Sequence, residues 1–174
     1  MPLIEIKTWT NGRVLYAGEH ATVREAVEAA IGSYCDFRYC DLSGCDLRYC
    51  NFRYCDLRGC KLSGCDLSYC NLSYCDFRYC DLSGCNLSDC NLAYRSHDLI
   101  AEILKRAAGD DTEKLKIAGY VLVCRDKCWD AFAKLAAADP RGDWALDELA
   151  AWVQPGDQEA PDVLRKRAEK LATA

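Results

Sequence analysis

The chain has 174 residues, a formal net charge of −5 and fourteen cysteines. Its acidic balance argues against a protein that grips nucleic-acid phosphates, which needs a basic stripe. With no charged-then-apolar leader at Met1 and no apolar run of about eighteen residues, neither secretion nor a membrane span is expected, and the cytoplasm is the expected location.

Residues 1–34 read as a β-hairpin followed by a helix. Leu3, Ile4 and Ile6, then Val14, Leu15 and Tyr16, flank Asn11-Gly12, a pair that supplies the positive φ angles of a tight turn. Thr22 with Glu25 makes a capping box for a helix carrying Val23, Ala26, Val27 and Ile31, ended by Gly32.

Residues 35–94 are twelve consecutive five-residue units. The first position is Cys throughout: Cys35, Cys40, Cys45, Cys50, Cys55, Cys60, Cys65, Cys70, Cys75, Cys80, Cys85 and Cys90. The third is always apolar, from Phe37 and Leu42 to Leu87 and Leu92. A helix scatters a period of five around its circumference, and a flat strand loses its alternation once per unit. The chain must therefore turn a corner every five residues and wind into a solenoid with Cys and Leu or Phe inside. The outward positions repeat every twenty residues, as in Arg38, Arg58 and Arg78, in Gly44, Gly64 and Gly84, and in Asn51, Asn71 and Asn91. Like residues stack on like, so four units make one square coil and twelve make three.

These units resemble the pentapeptide-repeat family, whose motif is Ala or Cys, then Asp or Asn, then Leu or Phe, then two variable residues. The resemblance implies a right-handed quadrilateral β-helix, so the expected fold class is mainly β. Residues 1–34, which resemble the N-terminal regions of some bacterial and phage members, would cap the first coil of the 35–94 solenoid. Cys at every small inward position and frequent Tyr at the fifth depart from the family's usual pattern. Such uniformity points to recent duplication or to an engineered sequence.

Residues 95–174 shift to Ala, Leu, Lys and Glu at helical spacing and predict an α-helical domain that seals the last coil. Ser96 opens a helix with Leu99, Ile100, Ile103 and Leu104, stopped at Gly109. Asp110 and Glu113 cap a second, with Leu115, Tyr120, Val121 and Leu122. A third holds Trp129, Phe132 and Leu135 and ends before Pro140, and a fourth holds Trp144, Leu149 and Trp152 and ends at Pro155-Gly156. Pro161 starts a fifth, with Val163, Leu164, Ala168 and Leu171 on one side.

No catalytic set emerges, so the protein is read as a non-enzyme without cofactor or metal. Stacked parallel side chains hold Cβ atoms too far apart for regular disulfides, and three Cys per column always leave one over. The inward thiols are expected to be reduced and shielded, behaving as small hydrophobes. Cys124 and Cys128, four apart beside Trp129, read as core, and His20 and His97 as capping neighbours. The expected role is a structural scaffold or protein-interaction module, monomeric or weakly self-associating, that meets another protein on a side face and neither nucleic acid nor membrane. The face chosen carries Tyr54, Tyr74 and Tyr94 beside Asn51, Asn71 and Asn91, rigid aromatic area with hydrogen-bonding groups. One alternative, implied by the family, is a DNA mimic that inhibits or protects gyrase. Eight Asp against five Arg and one Lys over residues 35–94 leave −2, far below the roughly eight charges of a DNA stretch of that length. A second alternative is soft-metal or redox chemistry at the thiols.

Overall fold

The computed structural model describes residues 1–33, 36–91, 94, 96–123, 129–154, 156–158 and 160–173. Cys35, Leu92, Cys124, Cys128 and Pro155 lie outside the described residues, as does the side chain of Leu122. The chain divides into two compact units, Met1–Ser96 and His97–Ala174.

The first unit begins with strands β1 (Leu3–Lys7) and β2 (Val14–Glu19), paired antiparallel with Ile6 opposite Tyr16. Their connection is longer than a two-residue turn: the Thr8 N–H donates to the Arg13 carbonyl at 2.9 Å and the Gly12 N–H to the Thr8 carbonyl at 3.0 Å. Of the Asn11-Gly12 pair only Gly12 has a positive φ, 71°, which corrects the expectation that both residues adopt one. Helix α1 (Val23–Gly32) starts where Thr22 Oγ1 accepts the Glu25 N–H at 3.2 Å and the Glu25 carboxylate accepts the Ala21 N–H at 2.9 Å. It buries Ala26, Val27 and Ala30.

From Phe37 to Cys90 each five-residue unit ends in a corner. The N–H of each following Cys donates to the third-position carbonyl, as from Cys40 to Phe37 at 3.1 Å and from Cys60 to Leu57 at 3.0 Å. The residue before that Cys has a positive φ in all the described units, between 55° at Asp89 and 69° at Gly44, Gly59 and Gly64. A turn with only its second central residue at positive φ is type II. The second-position Asp or Asn fastens the corner by accepting the N–H two residues on, as Asp46 does from Arg48 at 3.2 Å and Asn71 from Ser73 at 3.1 Å. Corners stack through parallel bridges twenty residues apart, such as Asp46↔Asp66 and Asn51↔Asn71. Between them the Leu47 N–H donates to the Asp66 carbonyl at 2.9 Å, and the Asp66 N–H to the Cys45 carbonyl at 3.0 Å. The hairpin lies against the start of this stack: the Asp41 N–H donates to the Lys7 carbonyl at 3.0 Å, and Trp9 Nε1 to the Gly59 carbonyl at 2.7 Å.

The expectation of a mainly β chain, a quadrilateral β-helix, is overturned. Among the described residues the only sheet is the two-stranded hairpin, whereas six helices of nine to twelve residues carry most of the regular structure. The physical reason lies in the corner. A five-residue unit commits its last two residues to a turn, so each side pairs through one isolated bridge and never extends into a strand. Residues 36–91 are thus a stack of turns, cored by third-position side chains from Phe37 to Leu87 that are each at most 5% exposed.

The second unit is helical: α2 (His97–Ala108), α3 (Thr112–Val123), α4 (Trp129–Ala137), α5 (Gly142–Ala150) and α6 (Asp162–Ala172). Asp111, rather than Asp110, caps α3, its Oδ1 accepting the Glu113 and Lys114 N–H groups at 3.1 Å each. Leu99, Ile100, Leu104, Ile117, Phe132, Leu149 and Leu164 are buried. Arg167 of α6 reaches back to Asp147 and Asp143 of α5. Among the described residues no helix is long and apolar enough to cross a membrane.

The corner geometry makes a prediction. Gly64 has φ +69°, and a Cβ there would meet nothing closer than the Gly44 Cα at 4.0 Å, so Gly64→Ala tests backbone strain without a clash. It should lower stability by about 1 kcal/mol in urea unfolding, whereas Ser63→Ala beside it should stay within about 0.5 kcal/mol.

Candidate functional site

The inward thiols do more than fill space. Six of them reach the third-position carbonyl of the coil below: Cys60 to Phe37 at 2.9 Å, Cys65 to Leu42 at 2.7 Å, Cys70 to Leu47 at 3.0 Å, Cys75 to Phe52 at 2.8 Å, Cys80 to Leu57 at 2.9 Å and Cys90 to Leu67 at 2.8 Å. These carbonyls also accept the N–H that closes their own corner, so both lone pairs are used. Reading Cys only as a small hydrophobe missed this link, although its absolute retention at the first position was the available signal. The eleven described cysteines, Cys40 through Cys90, are free thiols; Cys45, Cys55 and Cys80 are partly exposed and the others are buried. Burial pushes the thiols of Cys50, Cys65, Cys70 and Cys90 up to about 12 and raises Cys45, while the Cys40 thiol 3.3 Å away is the main cause that raises Cys60. Among the described residues no three His, Cys, Asp or Glu side chains are grouped to hold a metal ion.

Outside, the four sides of the stack differ in chemistry. One carries an alternating ladder: Arg38 binds Asp36 at 2.5 Å and reaches Asp56 at 3.9 Å, Arg58 binds Asp56 at 2.5 Å and reaches Asp76 at 3.7 Å, and Arg78 binds Asp76 at 2.6 Å. On the opposite side Arg48 binds Asp46 at 2.7 Å, and its hydrogen bonds hold that carboxyl at about 2. A third side bears Ser43, Ser63 and Ser83 with their glycine corners. The fourth has neither ladder nor carboxylate, since its second positions are Asn51, Asn71 and Asn91, joined in one column of parallel bridges.

Two tyrosine stacks bound this Asn side. At the corner after it, the Tyr54 and Tyr74 rings lie 4.8 Å apart and 15° from parallel, with the Arg53 guanidinium 4.8 Å and 5.4 Å from their centroids. At the corner before it, Tyr49 and Tyr69 lie 5.0 Å apart and 10° from parallel. Tyr49, Tyr54 and Tyr69 are 62%, 66% and 52% exposed. The sequence reading placed Tyr54, Tyr74 and the three Asn together, and the structure does so too, but Tyr94 is buried at 2% exposure and presents no surface. It missed Tyr49 and Tyr69, whose positions two residues before Asn51 and Asn71 put them on the neighbouring edge of the same side.

The repeated corner, its Asx fastening and its twenty-residue stacking agree with comparison against known families, in which residues 33–99 match the family described as pentapeptide repeat region. Residues 33–99 are a pentapeptide repeat region. Compared with curated proteins and with solved structures, the chain has no match.

No other predicted residue joins this pentapeptide side. Tyr16 Oη and His20 Nε2 are hydrogen-bonded at 2.8 Å beside the hairpin, and His97 begins α2 in the second unit. Within the pentapeptide region the thiols give a pH dependence. Their folded values stand above the ordinary 9, so above that pH the unfolded chain releases protons that the folded chain retains. Stability is therefore intact below pH 9 and falls as pH rises from 9 toward 12. Urea unfolding across pH 7 to 11 should show this decline, and a Cys65→Ala/Cys70→Ala variant should show a shallower one; equal slopes would remove the thiols as its cause.

Proposed function

We propose that the pentapeptide repeat region is a non-enzymatic protein-interaction module, working in a reducing compartment such as the cytoplasm, whose recognition face is the Asn side. The observation that carries this reading is the pair of tyrosine stacks, Tyr49–Tyr69 and Tyr54–Tyr74, flanking Asn51, Asn71 and Asn91. Stacked rings held at fixed corners offer large amphipathic area with little side-chain entropy left to lose, and the amides and Ser73 offer adaptable hydrogen bonds. Tyr, Asn, Ser and Arg together are the composition favoured in protein-binding surfaces. Two other sides are occupied by their own Asp–Arg pairs, and the Ser and Gly side has little area to bury. The same pairing opposes DNA mimicry, because carboxylates matched by guanidiniums do not present a continuous anionic surface.

A clean test exploits the glycine corners Gly44, Gly59, Gly64 and Gly84, where Gly holds the same positive φ that Tyr54 and Tyr74 hold at theirs. Tyr54→Gly/Tyr74→Gly should keep a native-like circular dichroism spectrum yet weaken capture of the native-host partner by at least about tenfold, as removal of central aromatic anchors does. Ser43→Ala/Ser83→Ala on the other side should leave capture unchanged. A partner held equally by both variants, or no partner for the unaltered protein, would refute the Asn side as a recognition face.

A further inference from the structure

The amides of the Asn side have a fixed direction. Asn51 Oδ1 accepts the Arg53 N–H at 3.3 Å and Asn71 Oδ1 the Ser73 N–H at 3.1 Å, so each oxygen is turned back to its own corner and each Nδ2 donor pair is turned away from it. Parallel bridges set Asn51, Asn71 and Asn91 one coil apart, about 4.8 Å per step. This side therefore presents a column of uncharged amides. The same position elsewhere in the stack is Asp, which has only acceptor oxygens, with two exceptions that are already engaged: the Lys61 ammonium lies over the Trp9 ring, and the Asn86 amide donates to Asp66 at 3.1 Å. Aromatic area flanks the column on both edges, and Tyr49, Tyr69 and Tyr54 are exposed.

We infer that the Asn side docks a proline-rich segment of a partner protein, held as a polyproline II helix along the axis of the stack; this rests on the Asn side being the recognition face. Spacing selects that conformation. A polyproline II helix repeats every three residues, about 9.3 Å, and two coil steps are about 9.6 Å, so carbonyls three residues apart face the Asn51 and Asn91 positions together. A β-strand turns a carbonyl to the same edge about every 6.8 Å, which fits neither one coil step nor two. Polyproline II makes no internal hydrogen bonds, so its carbonyls are open to outside donors, and proline-rich segments in this conformation dock against aromatic side chains. Proline itself has no N–H to satisfy, which suits a face whose amide oxygens are committed to their corners. Arg53 takes no part, because its guanidinium lies over the Tyr54 and Tyr74 rings.

The experiment is fluorescence anisotropy of the full chain with three rhodamine-labelled, uncharged peptides of equal length: octaproline, a Gly-Ser repeat and octathreonine. Octaproline should bind, with an affinity that salt leaves unchanged, and the flexible Gly-Ser repeat should not. Asn51→Asp/Asn71→Asp keeps an oxygen for each corner, as Asp46 and Asp66 do in theirs, but sets carboxylates against the peptide carbonyls and should weaken octaproline binding by at least about tenfold. Gln154→Glu/Gln158→Glu adds the same charge at exposed positions of the second unit and should alter it by no more than about twofold. The proposal fails if octaproline does not bind, or if the Asn variant binds it as well as the unaltered chain. Tighter binding of octathreonine would make the occupant a β-strand, and an equal loss in the Gln variant would assign the effect to overall charge; either result overturns it. Should Tyr54→Gly/Tyr74→Gly lose the native-host partner while octaproline does not bind, the Asn side stands as a recognition face and the polyproline occupant alone is struck.

Discussion

Everything in the repeat region depends on a left-handed residue at every fifth position. Only with φ near 60° at that point can the next Cys N–H fold back onto the third-position carbonyl and close a corner within five residues. The corner sets what the other positions must be. The second residue needs a short side chain with an oxygen that reaches the N–H two residues later, which Asp and Asn provide. The third must fill the interior, and the first must be small. Lys61 is the exception at the second position, and it is placed instead with its ammonium 4.9 Å from the Trp9 ring.

The small first residue could be Ala on packing grounds alone. Cys adds a donor aimed at the carbonyl of the coil beneath, where the corner N–H has left one lone pair unused. A thiol is a weak donor, but the bond is buried and recurs coil after coil, tying each turn to the one below in parallel with the backbone bridges. The same burial that shields the thiols suppresses their thiolate form, so the feature that makes them cohesive also makes them poor nucleophiles and metal ligands at neutral pH.

Much of this was legible in the residues. The twenty-residue recurrence of outward side chains anticipates the bridges between Asn51, Asn71 and Asn91, and Thr22 with Glu25 marks the start of α1. What misled was treating a stack of hydrogen-bonded coils as strands: periodicity reveals that residues pair across coils but not how few do so per side, and two corner residues in five leave only one. The positive φ was hidden for a related reason. Gly44, Gly64 and Gly84 advertise it, but Tyr at Tyr39, Tyr49, Tyr54, Tyr69, Tyr74 and Tyr79 conceals it, because a bulky side chain seldom occupies that region. The Tyr94 error has a different origin: counting gives its place in the repeat but not its burial.

The tyrosine corners pose the sharper physical question, since glycine meets the same backbone requirement without strain. A non-glycine residue held left-handed costs roughly 1–2 kcal/mol, and ring stacking returns a comparable 0.5–1.5 kcal/mol only where a second ring lies directly above or below. Tyr49–Tyr69 and Tyr54–Tyr74 satisfy that condition, and both border the Asn side. Tyr39 is different. Its ring lies over Gly59, where a Cβ would come within 2.5 Å of it, so the glycine there makes room for the ring, and Trp9 of the hairpin packs edge-on against it at 6.4 Å. One corner thus uses its tyrosine to seat the hairpin, while the two around the Asn side spend theirs on paired rings, of which Tyr49, Tyr54 and Tyr69 are exposed and Tyr74 is half-buried. Ring stacking thus comes close to offsetting the left-handed strain at those corners, so that stability alone would favour glycine there about as well.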